Sequence, residues 1–347
     1  MSQSHLLSLR LAPNLVPHVS EMPLVSVLTP VYNGARYLRD AIDSVLDQTY
    51  ANIEYIVIDN CSDDDTPAIL AEYVGRDSHM KVVRNDTLLD VIENHNVAFR
   101  TMSAASVYCK VLHADDCLEP GCVEKMVALG ERHPSTTIIG SYSYWESGRF
   151  PETIPSNRFF FAGREVCRAA LLGEYFAFLS PSSLMIRSSV IRDRDPFYQG
   201  GELHADLDAY YSVLENTDYG FVPELLTSIR THDDSVTSSE ANPLRKLQAA
   251  QLRMLVRYGP VYLSSAEYDE SLTNQLQHYY RFLARAILEG RGPEFWDLHK
   301  ATLATTGHPL NRIRLIGALL RRFMQFPRSC MQILMTSHGG KKIARKS

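Results

Sequence analysis

Residues 24–29 read Leu-Val-Ser-Val-Leu-Thr, a short β-rich apolar run that stops at Pro30 and predicts a strand buried on both faces. Beyond Tyr37 the apolar positions fall at Leu38, Ala41, Ile42, Val45 and Leu46, the i, i+3, i+4, i+7 spacing of one helix face. The alternation then repeats. Residues 53–59 predict a second strand, and Asp65, Thr66 and Pro67 open a second helix, with proline suited to the first turn. A strand at 81–83, a helix at 92–102, a strand at 107–112, a helix at 121–133 and a strand at 137–142 follow. This order predicts an α/β fold whose central sheet is mostly parallel and flanked by helices.

In open sheets of that kind ligands bind beyond the carboxyl ends of the strands. The polar groups gather there: Tyr32-Asn33 after the first strand, Asp59-Asn60 after the second, and His113-Ala114-Asp115-Asp116 after the fourth. The stretch from 145 to 240 is less regular, with a strand expected at 183–186 and a helix at 206–214. After Asn242 the spacing of Leu244, Leu247, Leu252, Leu255 and Val256, and a second stretch near 275–288, predict a helical C-terminal region.

Composition narrows the class. The chain has 347 residues, 45% of them hydrophobic, enough for a full core. Its formal charge of −5 argues against a nucleic-acid partner. Nine Lys or Arg and no acid fall between Ala301 and Ser347, so the first 300 residues carry −14. Six scattered cysteines (61, 109, 117, 122, 167, 330) show neither zinc spacing nor a disulfide framework, which points to a reduced cytoplasmic setting. Pro13, Asn14 and Pro17 interrupt the N-terminal stretch, so residues 1–22 read as a flexible leader, and no window approaches the ~20 apolar residues of a membrane span.

The adjacent carboxylates Asp115 and Asp116 carry the most chemistry. Hard divalent cations take oxygen ligands, and a cation at a strand end can neutralise charge on a departing diphosphate. The same pair also suits a solvated turn before the helix that follows Glu119-Pro120.

Four blocks in order, residues 25–34, 41–50, 58–64 and 112–116, resemble the successive motifs of family 2 glycosyltransferases with the GT-A fold, and the likeness extends over about 24–240. The resemblance implies an inverting, nucleotide-sugar-dependent transferase. It implies that Pro30 and Tyr32 contact the nucleotide and that Asp59 accepts the imide N–H of a pyrimidine. The family's Asp-x-Asp element maps onto His113-Ala114-Asp115, which departs at its first position; Asp115 is then the metal ligand for Mg2+ or Mn2+, with His113 and Asp116 beside it. Residues 202–208 match the segment that supplies the catalytic base, with Ala205 where Glu is common, Asp206 as the base and Asp208 as its fallback. Residues 229–237 match a segment that closes over the diphosphate, with Arg230 and His232 as donors.

The resulting expectation is a domain at 23–240, its nucleotide-sugar half at about 23–120 and its acceptor half at about 121–240, followed by helices at 241–347 with a basic tail. The substrates expected are a UDP- or dTDP-sugar donor and a glycan or lipid-linked acceptor, in surface polysaccharide or glycoconjugate synthesis. Arg312, Arg314, Arg321 and Arg322, interleaved with Ile313, Leu315, Ile316, Leu319, Leu320, Phe323 and Met324 and followed by Lys341, Lys342, Arg345 and Lys346, suit either peripheral contact with the inner membrane face or a packing helix with a basic end. Two alternatives remain: a catalytically silent nucleotide-sugar-binding protein, given His113 and Ala205 where carboxylates are usual, and a sugar nucleotidyltransferase, which lacks its expected Gly-rich phosphate loop after the first strand. Trp145, Phe159, Phe160, Phe161, Tyr175, Phe176 and Phe178 are expected to be mostly core, and Cys117 and Cys122 to be packing residues.

Overall fold

The computed structural model describes residues 22–77, 79–145, 154–178, 180–199, 204–232, 235 and 242–325. Residues 1–21 of the expected leader, and Cys330, Lys341, Lys342, Arg345 and Lys346 of the expected tail, lie outside the described residues.

Strands and helices alternate first as β1 (Val25–Val31), α1 (Leu38–Leu46), β2 (Ile53–Asp59), α2 (Thr66–Val74), β3 (Met80–Arg84), α3 (Val91–Thr101) and β4 (Tyr108–Val111). Every residue of β1 is buried, as its unbroken apolar run predicts. Asp90 caps α3, its side chain accepting the Glu93 N–H, and Pro67 sits in the first turn of α2. Next come β5 (Cys117–Leu118), α4 (Cys122–Arg132), β6 (Thr136–Trp145), β7 (Phe160–Ala162), α5 (Gly163–Leu171), a 3-10 turn at Pro181–Ser183, β8 (Leu184–Arg187), α6 (Ser188–Arg192), α7 (Ala205–Val213) and β9 (Asp218–Ile229).

The sheet has nine strands among the described residues, in the order β3-β2-β1-β4-β8-β6-β9-β5 with β7 on β9. The run β3-β2-β1-β4 is parallel as expected. Beyond β4 the sheet is mixed: β8 runs antiparallel to β4 and β6, and β5 and β7 antiparallel to β9, while β6 and β9 pair in parallel. Helices therefore cover both faces. Val25, Val27 and Val57 point to a core with α1, α2 and α4, whereas Leu28, Ile56 and Ile58 point to a second core with α3, α5 and α7, the alternation that a pleated strand imposes.

Several elements go beyond the sequence reading. Strand β9 is the longest, yet Pro223 and Glu224 interrupt its alternation. Ser141 pairs with Val222 and the next residue, Tyr142, with Leu225, so the two awkward residues are expelled in a bulge. Phe161 is core, with Tyr175 and Phe178 packed on it, but Phe159 and Phe176 are exposed. Cys122 is fully buried, and the five described cysteines are free thiols.

The C-terminal region is helical: α8 (Asn242–Leu244), α9 (Lys246–Tyr262), α10 (Ser265–Leu288), α11 (Pro293–Thr305) and α12 (Arg312–Gln325). A capping box between Ser264 and Glu267 starts α10. Tyr258 and Tyr262 of α9 belong to the core under α7, and the Tyr262 hydroxyl donates to the Tyr211 carbonyl, so these helices pack directly on the sheet domain. Between them, buried His299 bonds the Tyr279 hydroxyl at 2.5 Å and the Leu244 carbonyl at 2.9 Å, and burial pushes the imidazole down to about 4. Among the described residues no helix is long and apolar enough to cross a membrane.

Candidate active site

Strand register brings the first two groups together. Val31, Asp59 and Arg84 are successive cross-strand partners at the carboxyl edge of β1, β2 and β3. Asp59 is 1% exposed; its Oδ2 pairs with the Arg84 guanidinium and its Oδ1 accepts the Ser62 N–H at 2.9 Å. Arg84 also donates to the Ser62 carbonyl at 3.0 Å, so it links the strand end to the loop that follows. A carboxylate so deeply buried is tolerable because it is paired and hydrogen-bonded.

The loops after β1 and β2 are clasped side by side. Asn33 adopts a left-handed φ of 50°, a conformation that asparagine tolerates better than most residues, and its N–H donates to Ser62 Oγ. Its side chain exchanges two hydrogen bonds with Asp63, and Gly34 and Ala35 donate to Thr66 and Asp64. A Cβ at Gly34 would lie 2.5 Å from Val31 Cγ2, which excludes any larger residue without movement. These bonds leave Tyr32 standing out at 50% exposure, whereas Pro30 is buried in β1 opposite Ile58. Of the two residues expected at the nucleotide, only Tyr32 is exposed.

The fourth strand is anchored from beneath. Lys110 is fully buried in β4, and its ammonium donates to the carbonyls of Ser182 at 2.7 Å and Leu184 at 3.2 Å; burial lowers its pKa. Ser182 Oγ in turn accepts the His113 N–H at 3.0 Å, and its carbonyl also takes the Thr227 hydroxyl. The turn that follows gathers ligand atoms of His113, Asp115 and Asp116 within 4.8 Å of one another.

Asp116 is 2% exposed. Its Oδ1 accepts the Arg230 N–H at 3.2 Å, while its Oδ2 is buried without a hydrogen-bond partner, 3.7 Å from His113 Nδ1. Burial pushes this carboxyl up to about 6; the nearby His113 opposes the shift and the Asp115 charge adds to it. An unsatisfied buried carboxylate oxygen beside a second carboxylate fits a hard divalent cation, which would supply the missing partner.

Strand β9 delivers the remaining donors. Arg230 sends its Nη2 to Asp40 at 2.7 Å and lies 4.8 Å from the centre of the Tyr37 ring. The His232 ring is 4.8 Å from the same tyrosine, and its Nε2 is 2.9 Å from Asp115 Oδ2. Tyr37 and Asp40, at the start of α1, thus hold a segment that arrives almost two hundred residues later.

Asp206 sits in the first turn of α7, half-buried, and burial raises its carboxyl to about 6 against the opposing influences of the Leu207 N–H and the His113 imidazole. Asp208, the expected fallback base, is placed otherwise. It is 5% exposed, with Arg194 at 3.1 Å, Arg257 at 2.6 Å and the Tyr258 hydroxyl at 2.9 Å, so it fastens α7 to α9 and is corrected to a packing role. Residues two apart on a helix are turned about 200° from each other, which is why Asp206 does not share these partners.

The sequence reading passed over Arg84, Ser182, Lys110, Tyr37 and Asp40. It also passed over a floor of amides in which Asn85 Nδ2 bridges Asn60 and Asn94 at 2.8 and 2.9 Å. His95 lies beside that floor on α3, its ring edge-on to His113 at 5.6 Å and its pKa pushed by burial to about 4.

The glycosyl transferase family 2 model matches residues 26–194. A Haemophilus influenzae protein described as an uncharacterized glycosyltransferase is 26% identical over 230 residues, 62% of this chain and 68% of that one. The putative teichuronic acid biosynthesis glycosyltransferase TuaG of Bacillus subtilis is 36% identical over 105 residues, 30% of this chain and 41% of its own. Among solved structures, Staphylococcus aureus TarS 1-349 in complex with UDP-GlcNAc superposes with a TM-score of 0.62 at 16% identity, covering 82% of this chain and 80% of that one. The mannosyltransferase PcManGT from Pyrobaculum calidifontis, in complex with GDP-Man and Mn2+, gives 0.52 at 15% identity, covering 92% of each chain.

Proposed function

We propose that this glycosyltransferase, a member of family 2 through its residues 26–194, moves a sugar with inversion from a UDP- or dTDP-sugar to a glycan or lipid-linked acceptor. The observation that carries this reading is the cluster of His113, Asp115 and Asp116 at the strand ends, where the buried Asp116 Oδ2 has no hydrogen-bond partner; Asp206, with a carboxyl raised by burial, is the base we assign to it.

Asp59 uses one acceptor position on each oxygen for Ser62 and Arg84 and retains capacity for a pyrimidine imide N–H. Arg84 adds donors next to it, and Tyr32 offers a ring face. Asp115 and Asp116 would hold Mg2+ or Mn2+. When bound, the cation supplies positive charge against the diphosphate as it leaves. Arg230 and His232 steady phosphate oxygens from the other side. Asp206 takes the proton of the acceptor hydroxyl while that oxygen attacks the anomeric carbon from the face opposite the diphosphate.

The names of relatives, a putative teichuronic acid biosynthesis transferase and the putative glycosyltransferase EpsH of B. subtilis, support a role in surface polysaccharide or glycoconjugate synthesis. With a lipid-linked acceptor, the enzyme works in the cytoplasm against the inner face of the membrane. A silent donor-binding protein is the second reading, favoured by His113 at the first position of the metal motif and Ala205 before the base.

Calorimetric titration of UDP, dTDP and GDP with and without Mn2+, into the parent and Asp115→Ala, tests the donor site. Metal-dependent pyrimidine nucleotide binding that the substitution abolishes is expected; no binding by any nucleotide overturns the reading. Donor-sugar turnover in the presence of acceptor fractions then separates the transferase from the silent binder.

A further inference from the structure

Helix α12 has two apolar faces, and only one of them is covered. Leu315, Ala318 and Leu319 pack against Tyr280 and Ala284 of α10. Ile313, Ile316 and Leu320 do not: they are 81%, 56% and 58% exposed. At 100° per residue these three fall within an arc of about 60°, forming a strip along the outside of the helix. Arg312 borders the strip on one side and Arg314 and Arg321 on the other, all exposed. No acidic residue occurs from Ala301 to Ser347, in a chain whose first 300 residues carry −14.

We infer that this outer face of α12 is a docking surface for an anionic lipid bilayer. A helix lying in a bilayer interface needs an apolar strip for the acyl boundary and flanking cations for the headgroups. Arginine suits the border because its stem lies along apolar surface while the guanidinium stays at the headgroups. A second copy of the chain is the poorer occupant. A strip three side chains long on one helix is far smaller than the ~1,200–2,000 Å2 that a stable protein interface buries. The acidic body also disfavours approach to an anionic membrane by other routes, so the basic helix sets the orientation. The proposed transferase reading gives this surface a purpose but does not carry it.

The test is sedimentation of the full chain with vesicles of phosphatidylcholine alone and of phosphatidylcholine mixed with phosphatidylglycerol, without nucleotide or acceptor. Binding to the mixed vesicles is expected, weaker by about tenfold in high salt and on the neutral vesicles. The triple variant Ile313→Ser, Ile316→Ser, Leu320→Ser should lose about tenfold or more. Ile316→Asp alone, checked for an unchanged melting temperature and for parental UDP affinity, repeats the test should the triple variant misfold. A variant with Lys341, Lys342, Arg345 and Lys346 changed to Gln should lose less than the triple variant. Three outcomes would overturn the inference: no binding of the parent to mixed vesicles, undiminished binding of the strip variants, or a concentration-dependent dimer in light scattering that they dissolve. Each leaves nucleotide binding, and so the transferase reading, to be judged separately.

Discussion

The Nε2 of His232 lies 2.9 Å from Oδ2 of Asp115, a hydrogen bond between groups 117 residues apart. The carboxylate proposed to hold a cation is therefore already engaged by a side chain proposed to meet the diphosphate. On the proposed reading, cation and histidine would compete for one oxygen, and incoming phosphates would give the histidine another acceptor.

This competition separates two variants. Asp115→Asn should abolish metal-dependent UDP binding and lower kcat/KM by about 100-fold or more. His232→Ala should leave Mn2+ affinity equal or tighter while kcat falls about 10- to 100-fold. Calorimetry with Mn2+ alongside steady-state kinetics distinguishes them, and parallel losses of metal affinity would refute the assignment.

Asp206 must be ionised to accept a proton, and its carboxyl is raised by burial to about 6. Activity should therefore rise with pH through about 6 and level off above 7. Asp206→Asn should lower kcat by about 100- to 10,000-fold with donor affinity unchanged. The stability effect has the opposite slope. A carboxyl raised in the folded state favours folding fully below about 4 and loses that contribution as pH rises through about 6, so Asp206→Asn should melt higher than the parent at pH 8 and equally at pH 4.

Two residues along, the outcome differs in kind. Asp208→Ala strips Arg194, Arg257 and Tyr258 of a shared buried partner and should cost about 2–4 kcal/mol in a denaturant titration. The specific activity of the folded fraction should stay within about threefold of the parent, because a residue that fastens α7 to α9 acts through stability.

Arg84→Met leaves Asp59 buried and without its cationic partner. It should destabilise the protein by about 1–3 kcal/mol, less than a fully buried pair because the guanidinium is half exposed, and should weaken UDP binding. The double variant with Asp59→Asn should recover part of the stability but none of the nucleotide affinity.

Much of the N-terminal part of the sheet, β1 to β4, was legible in the sequence because buried parallel strands write unbroken apolar runs and α1 repeats its apolar residues at helical spacing. Strand β9 was not, since Pro223 and Glu224 interrupt the pattern that the bulge then absorbs. Strand β5 is two residues long, too short to leave a period. Of the candidate site residues, Asp59, Asp115, Asp116 and Asp206 stand out in the sequence by their place at strand and helix ends and by the family blocks. Lys110 reads locally as one residue of an apolar strand; only Ser182, 72 residues on, reveals what its ammonium does. Asp206 and Asp208 stand in the same first turn, and what tells them apart is Tyr258, 50 residues later.

The Arg230–Asp40 contact spans 190 residues, and Tyr37 shares in it. On the ribosome, then, the loops that would grip a nucleotide base emerge long before the segment that closes them. Any early-folding N-terminal portion has an open rim, with Tyr37 and Asp40 awaiting their partners. Such long-range closure is entropically slow, so the completed crevice should be among the last structures the nascent chain acquires, and a stalled or truncated product would expose that rim to chaperones and proteases.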